Sequence, residues 1–517
     1  MNRRELGLGV ATTSLTLGAA NASLAQVQVT VTNTLPPALD AQISRLSQDI
    51  QPDVRKVYEL TGGRPVWNAE RLRILQDVAS RAEHHALHAG DYFDFVGLAA
   101  QPDTAEVRST AAALTYAKVL AHGRIAPESV EELWEMQKNS VDVASGLVGA
   151  LNGNLSAWFD GLAPQDIGYK NLSAGYVRYR RIARDGGWPA FTVGAQIEPG
   201  ASDPRVPGLI KRLSLEGDIN ASTASSLGST SVYNASVQQG MRSFQARHGL
   251  GVDGRVGPAT QRSLSTSAED RARQIALNLE RRRWLKRELQ PERIEVNTAA
   301  AIMVYWKDGQ PVHSNRVVVG SHANQTPSLE RDFASVVANP PWTVPMGIAR
   351  REILPKGPGY LAANDMYINE NGWVVQRAGP RSSLGYVKFE LRDSYAIFLH
   401  DTPSKGAFNL SVRQRSHGCV RVQNAVEFAR LLLSPDPVRL ERFDAAQVSG
   451  DTTRVQTGRK IGVRLLYWTA FVDGQGRVAF REDSYRRDTK LARAMGIDVR
   501  LPEVLSEAPA DKDDDWL

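Results

Sequence analysis

The hydrophobic period of this chain changes once, and that change limits what it can fold into. Up to about residue 289 apolar side chains recur at spacings of three and four. Ile43, Leu46, Ile50, Val54 and Val57 begin the pattern. Leu72, Leu75 and Ala79 continue it in WNAERLRILQDVASRAEHHALHAG, as do VRSTAAALTYAKVLAHGRI and SVEELWEMQKNSVDVASGLVGAL. One helical face is apolar throughout, which predicts an all-helical domain over 41–202. From about 290 to 490 the period is two. EVNTAAAIMVYWKDGQPVHSNRVVVG reads as strands joined at Asp308-Gly309, ASVVANPPWTVP and SYAIFLHD supply further strands, and a second hairpin is expected around Asp473-Gly474. One helix interrupts, NAVEFARLLL, with Asn424 as its N-cap and Glu427 three residues later. The expectation is a multidomain α+β protein, helical first and mainly β second.

Between these halves the texture is different. Residues 203–266 predict three short helices: Val206, Leu209, Ile210 and Leu213 line one, Val237, Met241 and Phe244 a second, and Pro258 opens the third. Asp253-Gly254 and Gly257-Pro258 turn the chain between them, and a polar insert, INASTASSLGSTSVYN, separates the first from the second. AEDRARQIALNLERRRWL predicts a connecting helix within 267–289, and 491–517 reads as a C-terminal tail.

The N-terminus, MNRRELGLGVATTSLTLGAANASLAQ, has Arg3 and Arg4, a mild apolar run from Leu6 to Leu17, and small residues before Gln26. It reads as an export signal over 1–25, with the paired arginines suggesting the twin-arginine route. The run is too short for a bilayer core of about 30 Å, so no transmembrane span is expected in the mature chain, and 26–40 reads as a flexible lead. A net charge of +6, with no long lysine-arginine block, gives no nucleic-acid arm and suits an anionic cell envelope. Export also changes the meaning of the single cysteine, Cys419, which has no disulfide partner within its chain. It is an inert thiol, an intermolecular bridge or a nucleophile.

A nucleophilic thiol needs a base and oxyanion donors. His400 ends the apolar strand YAIFLH, and Cys419 follows nineteen positions later in RSHGCVRV. The amides of Gly418 and Cys419 are candidate oxyanion donors, and Arg421 could hold a carboxylate or favour the thiolate. Asp401 should face away from His400, because strand neighbours point to opposite faces, so a backbone carbonyl is the expected orienting group. His417, two residues from the thiol, is better placed to shape the loop or line the acyl pocket than to act as base. One cysteine with two histidines lacks the paired spacing of a zinc site. His84 and His88, four apart, have no third ligand, so no metal and no cofactor are expected.

Four stretches resemble known families. FQARHGLGVDGRVGPAT resembles the small three-helix peptidoglycan-binding module of wall enzymes. LHDTPSKGAFNLSVRQRSHGCVRV resembles the signature of the YkuD-type L,D-transpeptidases, in which a histidine precedes a Ser/Thr-His-Gly-Cys block by about fifteen residues and an arginine follows. NPPWTVPMGIARREILPKGPGYLAANDMYI and GPRSSLGYVKFEL resemble the larger YcbB-like branch. That resemblance implies a helical scaffold domain, the peptidoglycan-binding module and a catalytic domain with an inserted lid, here at about 345–385. It implies Cys419 as nucleophile, His400 as base, Gly418 and Cys419 as oxyanion donors, and Ser416, His417 and Arg421 as binding or orienting residues. The implied reaction is attack on the third residue of a tetrapeptide stem, loss of the terminal D-alanine, and transfer of the acyl group to an amine on a neighbouring stem. The implied partners are peptidoglycan stem peptides and glycan strands, at the periplasmic cell wall. Phe398 stands where relatives of this branch can carry a tyrosine. Hydrolysis of the same intermediate, as an L,D-carboxypeptidase, and a non-catalytic wall-binding role are the alternatives. The sequence leaves the acceptor amine open.

Overall fold

The computed structural model describes residues 35–392 and 397–502. The expected export signal, the lead up to residue 34 and the tail from 503 lie outside these. The described chain is already helical from Pro37 to Ile43, a helix that begins inside the stretch expected as a lead.

The N-terminal helices Gln51–Leu60, Ala69–Ser80, Pro102–His122, Val143–Leu151, Leu155–Leu162 and Ile167–Arg184 share one core around Leu75, Leu114, Leu147 and Phe159. Two expectations fail here. After Ser80 the chain tightens into a 3-10 turn, Ala82–His85, and Ala86 at φ 55° breaks it, so His84 and His88 do not share a helical face. Nor is SVEELWEM helical: Trp134–Glu135 is a strand, β1, pairing in parallel with Ser328 and Leu329 of the second half. Trp134 is fixed there by an edge-on ring contact with Trp284 at 5.3 Å.

The middle segment has the three expected helices, Val206–Glu216, Ala235–Arg247 and Pro258–Leu264, and every apolar residue named for the first two is buried. Its polar insert is partly a fourth helix, Ala221–Leu227, capped by Asn220 and burying none of its own residues. The expected connecting helix, Ala268–Trp284, is instead the centre of the molecule, buried at every position except Glu269 and Arg273. Its charges are matched partly from elsewhere, Arg281 to Asp488 at 2.5 Å and to Glu131 at 3.4 Å, and partly within the helix, Arg283 to Glu280 at 2.6 Å.

The strands that follow are β2 (Arg293–Asn297), β3 (Ile302–Lys307), β4 (Gln310–Gly320), β5 (Ser328–Ala338), β6 (Trp342–Thr343), β7 (Met366–Ile368), β8 (Val374–Gln376), β9 (Val387–Leu391), β10 (Leu399–His400), β11 (Gln414–Ser416), β12 (Val420–Val422), β13 (Thr453–Val455), β14 (Gly462–Leu466), β15 (Ala470–Val472) and β16 (Val478–Phe480). The main sheet runs β1-β5-β14-β2-β3-β4-β12-β10-β9, and β9 returns to pair with β5, closing it on itself. The β3–β4 hairpin turns at Asp308-Gly309, both at positive φ, as that dipeptide predicts. Helices Ala425–Leu433 and Pro437–Ser449 cover the closed sheet's core. The first lacks the expected capping box: Asn424 sits at φ 51° and makes no side-chain cap. The second hairpin, β15–β16, is a separate pair.

Residues 342–384 form a small layer of their own, a sheet β6-β8-β7 with short helical turns, around Trp342, Val344, Ile353, Met366, Val374 and Leu384. At the other end, helix Arg487–Met495 crosses the expected start of the tail at 491. Its Leu491, Ala492 and Met495 pack against Trp284, Leu277 and Val130, and that apolar contact carries the fold past residue 490.

Candidate active site

β10 and β12 are parallel neighbours, with Leu399 opposite Val420 and His400 opposite Arg421. Cys419 immediately precedes β12, opposite Phe398. Parallel strands keep opposed residues on one face, so Cys419, Arg421, Phe398 and His400 face the same way from strands about 4.8 Å apart. Together with Ser416 and His417 they line a cleft of ≈ 260 Å³, roofed from the 342–384 layer by Trp342, Ile348 and Arg351. A larger cavity of ≈ 1800 Å³ lies elsewhere, among Arg282, Trp306, Trp468 and Arg481, and contains neither the thiol nor His400. The candidate catalytic residues therefore lie in the smaller cleft.

His400 is buried, and its Nδ1 lies 2.5 Å from the Asp401 carbonyl oxygen. A carbonyl only accepts, so Nδ1 carries the proton and Nε2 keeps its lone pair. Burial, and then the Arg421 charge, push the imidazole down to about 3, so it is neutral in the resting protein. Asp401 turns away, as strand alternation predicts: its carboxylate accepts the Tyr386 N–H at 3.0 Å and pairs with Lys405. Gly385 permits this, because a Cβ there would lie 2.4 Å from Asp401 Oδ2.

Cys419 is partly exposed, on a loop with dense internal hydrogen bonding. Ser416 Oγ donates to the Cys419 carbonyl at 2.6 Å and accepts the Gly418 N–H at 3.2 Å. The Gly418 amide, expected as an oxyanion donor, is thus turned into the loop. Gly418 itself sits at φ +113°, which side-chain-bearing residues rarely adopt. Its carbonyl accepts from Thr326 Oγ1 at 2.8 Å. His417 Nε2 meets the Glu352 carboxylate at 3.1 Å, while its Nδ1 is buried without a hydrogen-bond partner. With its Nε2 engaged by the roof, His417 shapes the cleft wall. Phe398 keeps an aromatic wall, edge-on to His400 at 5.6 Å, with Lys388 Nζ 4.3 Å from its ring centre.

Sequence reasoning missed Glu352, the lone acid in ARREILPK, Thr326, whose hydroxyl reaches the Gly418 carbonyl, and Tyr485 and Arg487, which hold the Thr326 backbone; all three of these last contacts are tertiary. Among the described residues no group of three or more histidine, cysteine or acidic side chains could hold a metal ion.

The fold and cleft define a strand-rich domain in which one thiol and one neutral imidazole share a face. Comparison with known proteins finds similarity in each part of the chain. The strand-rich domain matches, over residues 291–440, the YkuD model of the L,D-transpeptidase catalytic domain. Residues 52–176 match the scaffold-domain model, and 215–264 the model of a "Putative peptidoglycan binding domain". A curated relative from Haemophilus influenzae, "Putative L,D-transpeptidase", is 31% identical over 220 residues, 38% of this chain and 45% of the relative. The chain thus matches about half the length of that relative. Among solved structures, an L,D-transpeptidase from Xylanimonas cellulosilytica is 18% identical with a TM-score of 0.19, over 53% of this chain and 98% of that one. Another from Stackebrandtia nassauensis is 12% identical with a TM-score of 0.22, over 54% and 96%.

Proposed function

We propose that this protein is a peptidoglycan L,D-transpeptidase acting through an acyl-enzyme on Cys419. The observation that carries the reading is the imidazole of His400, neutral and held at Nδ1 by a carbonyl, on the same sheet face as the only thiol. In the reaction His400 Nε2 takes the thiol proton as the sulfur attacks the carbonyl carbon of the third stem residue. The Cys419 N–H faces the developing oxyanion, and Gly418 supplies the backbone conformation that aims it. The bond to the terminal D-alanine then breaks, and the imidazolium returns its proton to the departing amine. An amine of a neighbouring stem attacks the thioester, gives a proton to His400, and leaves an amide with the thiol restored. Burial, with the Arg421 charge beside it, keeps the imidazole neutral until that transfer. Glycan strands and stem peptides are the partners, with residues 215–264 as the holding module. The site of action is the periplasmic wall, after export directed by residues 1–25. Among the described residues no helix is long and apolar enough to cross a membrane.

The test is mass spectrometry of the purified full chain with a tetrapeptide-stem muropeptide. Acylation should appear on Cys419 with loss of D-alanine, followed by cross-linked dimers. Cys419→Ala should give neither, and His400→Gln should slow acylation by about 10²–10⁴. Free tripeptide stems without dimers would make the protein a carboxypeptidase, and no acylation at all would leave a wall-binding protein.

A further inference from the structure

We propose that Thr326, Tyr485 and Arg487, backed by Glu131 of the helical domain, are positioning residues that set the direction of the Cys419 amide. This inference rests on the reading of Cys419 as the nucleophile. The Gly418 carbonyl and the Cys419 N–H belong to one peptide group, which is planar and trans. Whatever holds that oxygen therefore aims the N–H the opposite way.

What holds it is the Thr326 hydroxyl, at 2.8 Å. The same hydroxyl accepts the Gly320 N–H at 2.9 Å, which leaves its single proton for the Gly418 oxygen. Thr326 is fixed in turn on both sides of its backbone. Its N–H donates to the Tyr485 hydroxyl at 3.3 Å, and that hydroxyl donates to the Gly320 carbonyl at 2.6 Å. Its carbonyl accepts from Arg487 Nη2 at 3.1 Å. Arg487 Nη1 reaches Ser328 Oγ at 2.8 Å and Glu131 Oε2 at 3.0 Å, and Ser328 Oγ donates to the same carboxylate oxygen at 2.8 Å. All five residues are buried, so water cannot stand in for a missing member. The chain can fold back tightly enough to bring Thr326 under Gly418 only because residue 320 is glycine. A Cβ there would lie 2.1 Å from the Asn324 carbonyl oxygen.

Tyr485, Arg487 and Glu131 all lie outside the 291–440 match. The oxyanion geometry of this protein is thus imposed in part by its helical domain and its C-terminal segment.

The test uses the full chain with the tetrapeptide-stem donor, measuring single-turnover acylation of Cys419 beside its alkylation by iodoacetamide, which needs no oxyanion donor. Thr326→Val should slow acylation at saturating donor by about 10–10²-fold, with little change in KM. Thr326→Ser should restore most of the rate, and Tyr485→Phe should fall between them. Alkylation should be unchanged in all three. Wild-type acylation rates in both Thr326→Val and Tyr485→Phe, a parallel loss of alkylation, or failure of serine to rescue would overturn the inference alone. A wild-type chain that alkylates but never acylates overturns the proposed function, and this inference with it.

Discussion

His400 and Asp401 are sequence neighbours doing opposite jobs, and the residue that keeps them apart is Gly385. At φ +57° it occupies a backbone region costly to other residues, and a Cβ would meet three atoms of the Asp401 side chain at 2.4–2.7 Å. Gly385→Ala should therefore cost about 1–3 kcal/mol in strain, lower the denaturation midpoint, and slow Cys419 acylation as Asp401 is pushed and its carbonyl moves from His400 Nδ1. A variant with normal acylation would separate the two positions. At this scale the sequence was informative where geometry is local. Strand alternation predicted that Asp401 would turn away and that a carbonyl would orient the imidazole, and both are seen. The Gly418 amide was misjudged because its partner, Ser416 Oγ, depends on how the loop closes.

We expect the 342–384 layer, which roofs the cleft, to govern what reaches the proposed thioester. Its own sheet and core make it a folded unit, and Glu352 ties it to His417 beside the thiol. We expect Glu352→Gln to weaken that tie and admit water, raising the ratio of hydrolysed to cross-linked product while Cys419 alkylates at least as fast. Hydrogen exchange across 345–385 should rise in the same variant. A constant product ratio with faster exchange would show that closure does not govern the acceptor. Elements with long periodic runs were legible in the sequence, since burial of one face leaves its mark every two or every 3.6 residues. β1 left no mark, being two residues whose partner lies nearly two hundred positions away. The central helix Ala268–Trp284 was misread as a connector for a similar reason. Its arginines look solvated until Asp488 and Glu131, 207 and 150 residues distant, are seen to pair with Arg281.

Across the whole molecule, burial of ionisable groups sets how the protein meets acid. His85 and His400 are pushed down to about 3 and His248 well below its ordinary value, each chiefly by burial. Above pH 6.5 folded and unfolded chains both hold them neutral, and nothing is gained or lost. As pH falls from there toward 3, the unfolded chain binds protons that the folded chain refuses, so stability falls. Urea midpoints should therefore drop steadily from pH 7 to pH 4, and His400→Gln should flatten part of that slope. An unchanged slope would mean that His400 takes up its proton without unfolding. The parts are also joined too closely for simple excision. Arg247 of the middle segment donates to the Val478 carbonyl at 2.8 Å, and Trp188 Nε1 to the Thr266 carbonyl at 3.1 Å. Removing residues 203–266 would uncover both neighbours, so wall binding is better probed by point substitutions on that segment's surface.

β5 shows one more result of this joining. Along one edge it is paired by β13 and β14; along the other, β9 covers Phe333–Ala338 and β1 covers Ser328–Leu329. Without β1, the start of β5 would present bare N–H and C=O groups, a template onto which a strand from another chain can add. The helical domain, through two residues, is thus also a guard against self-association.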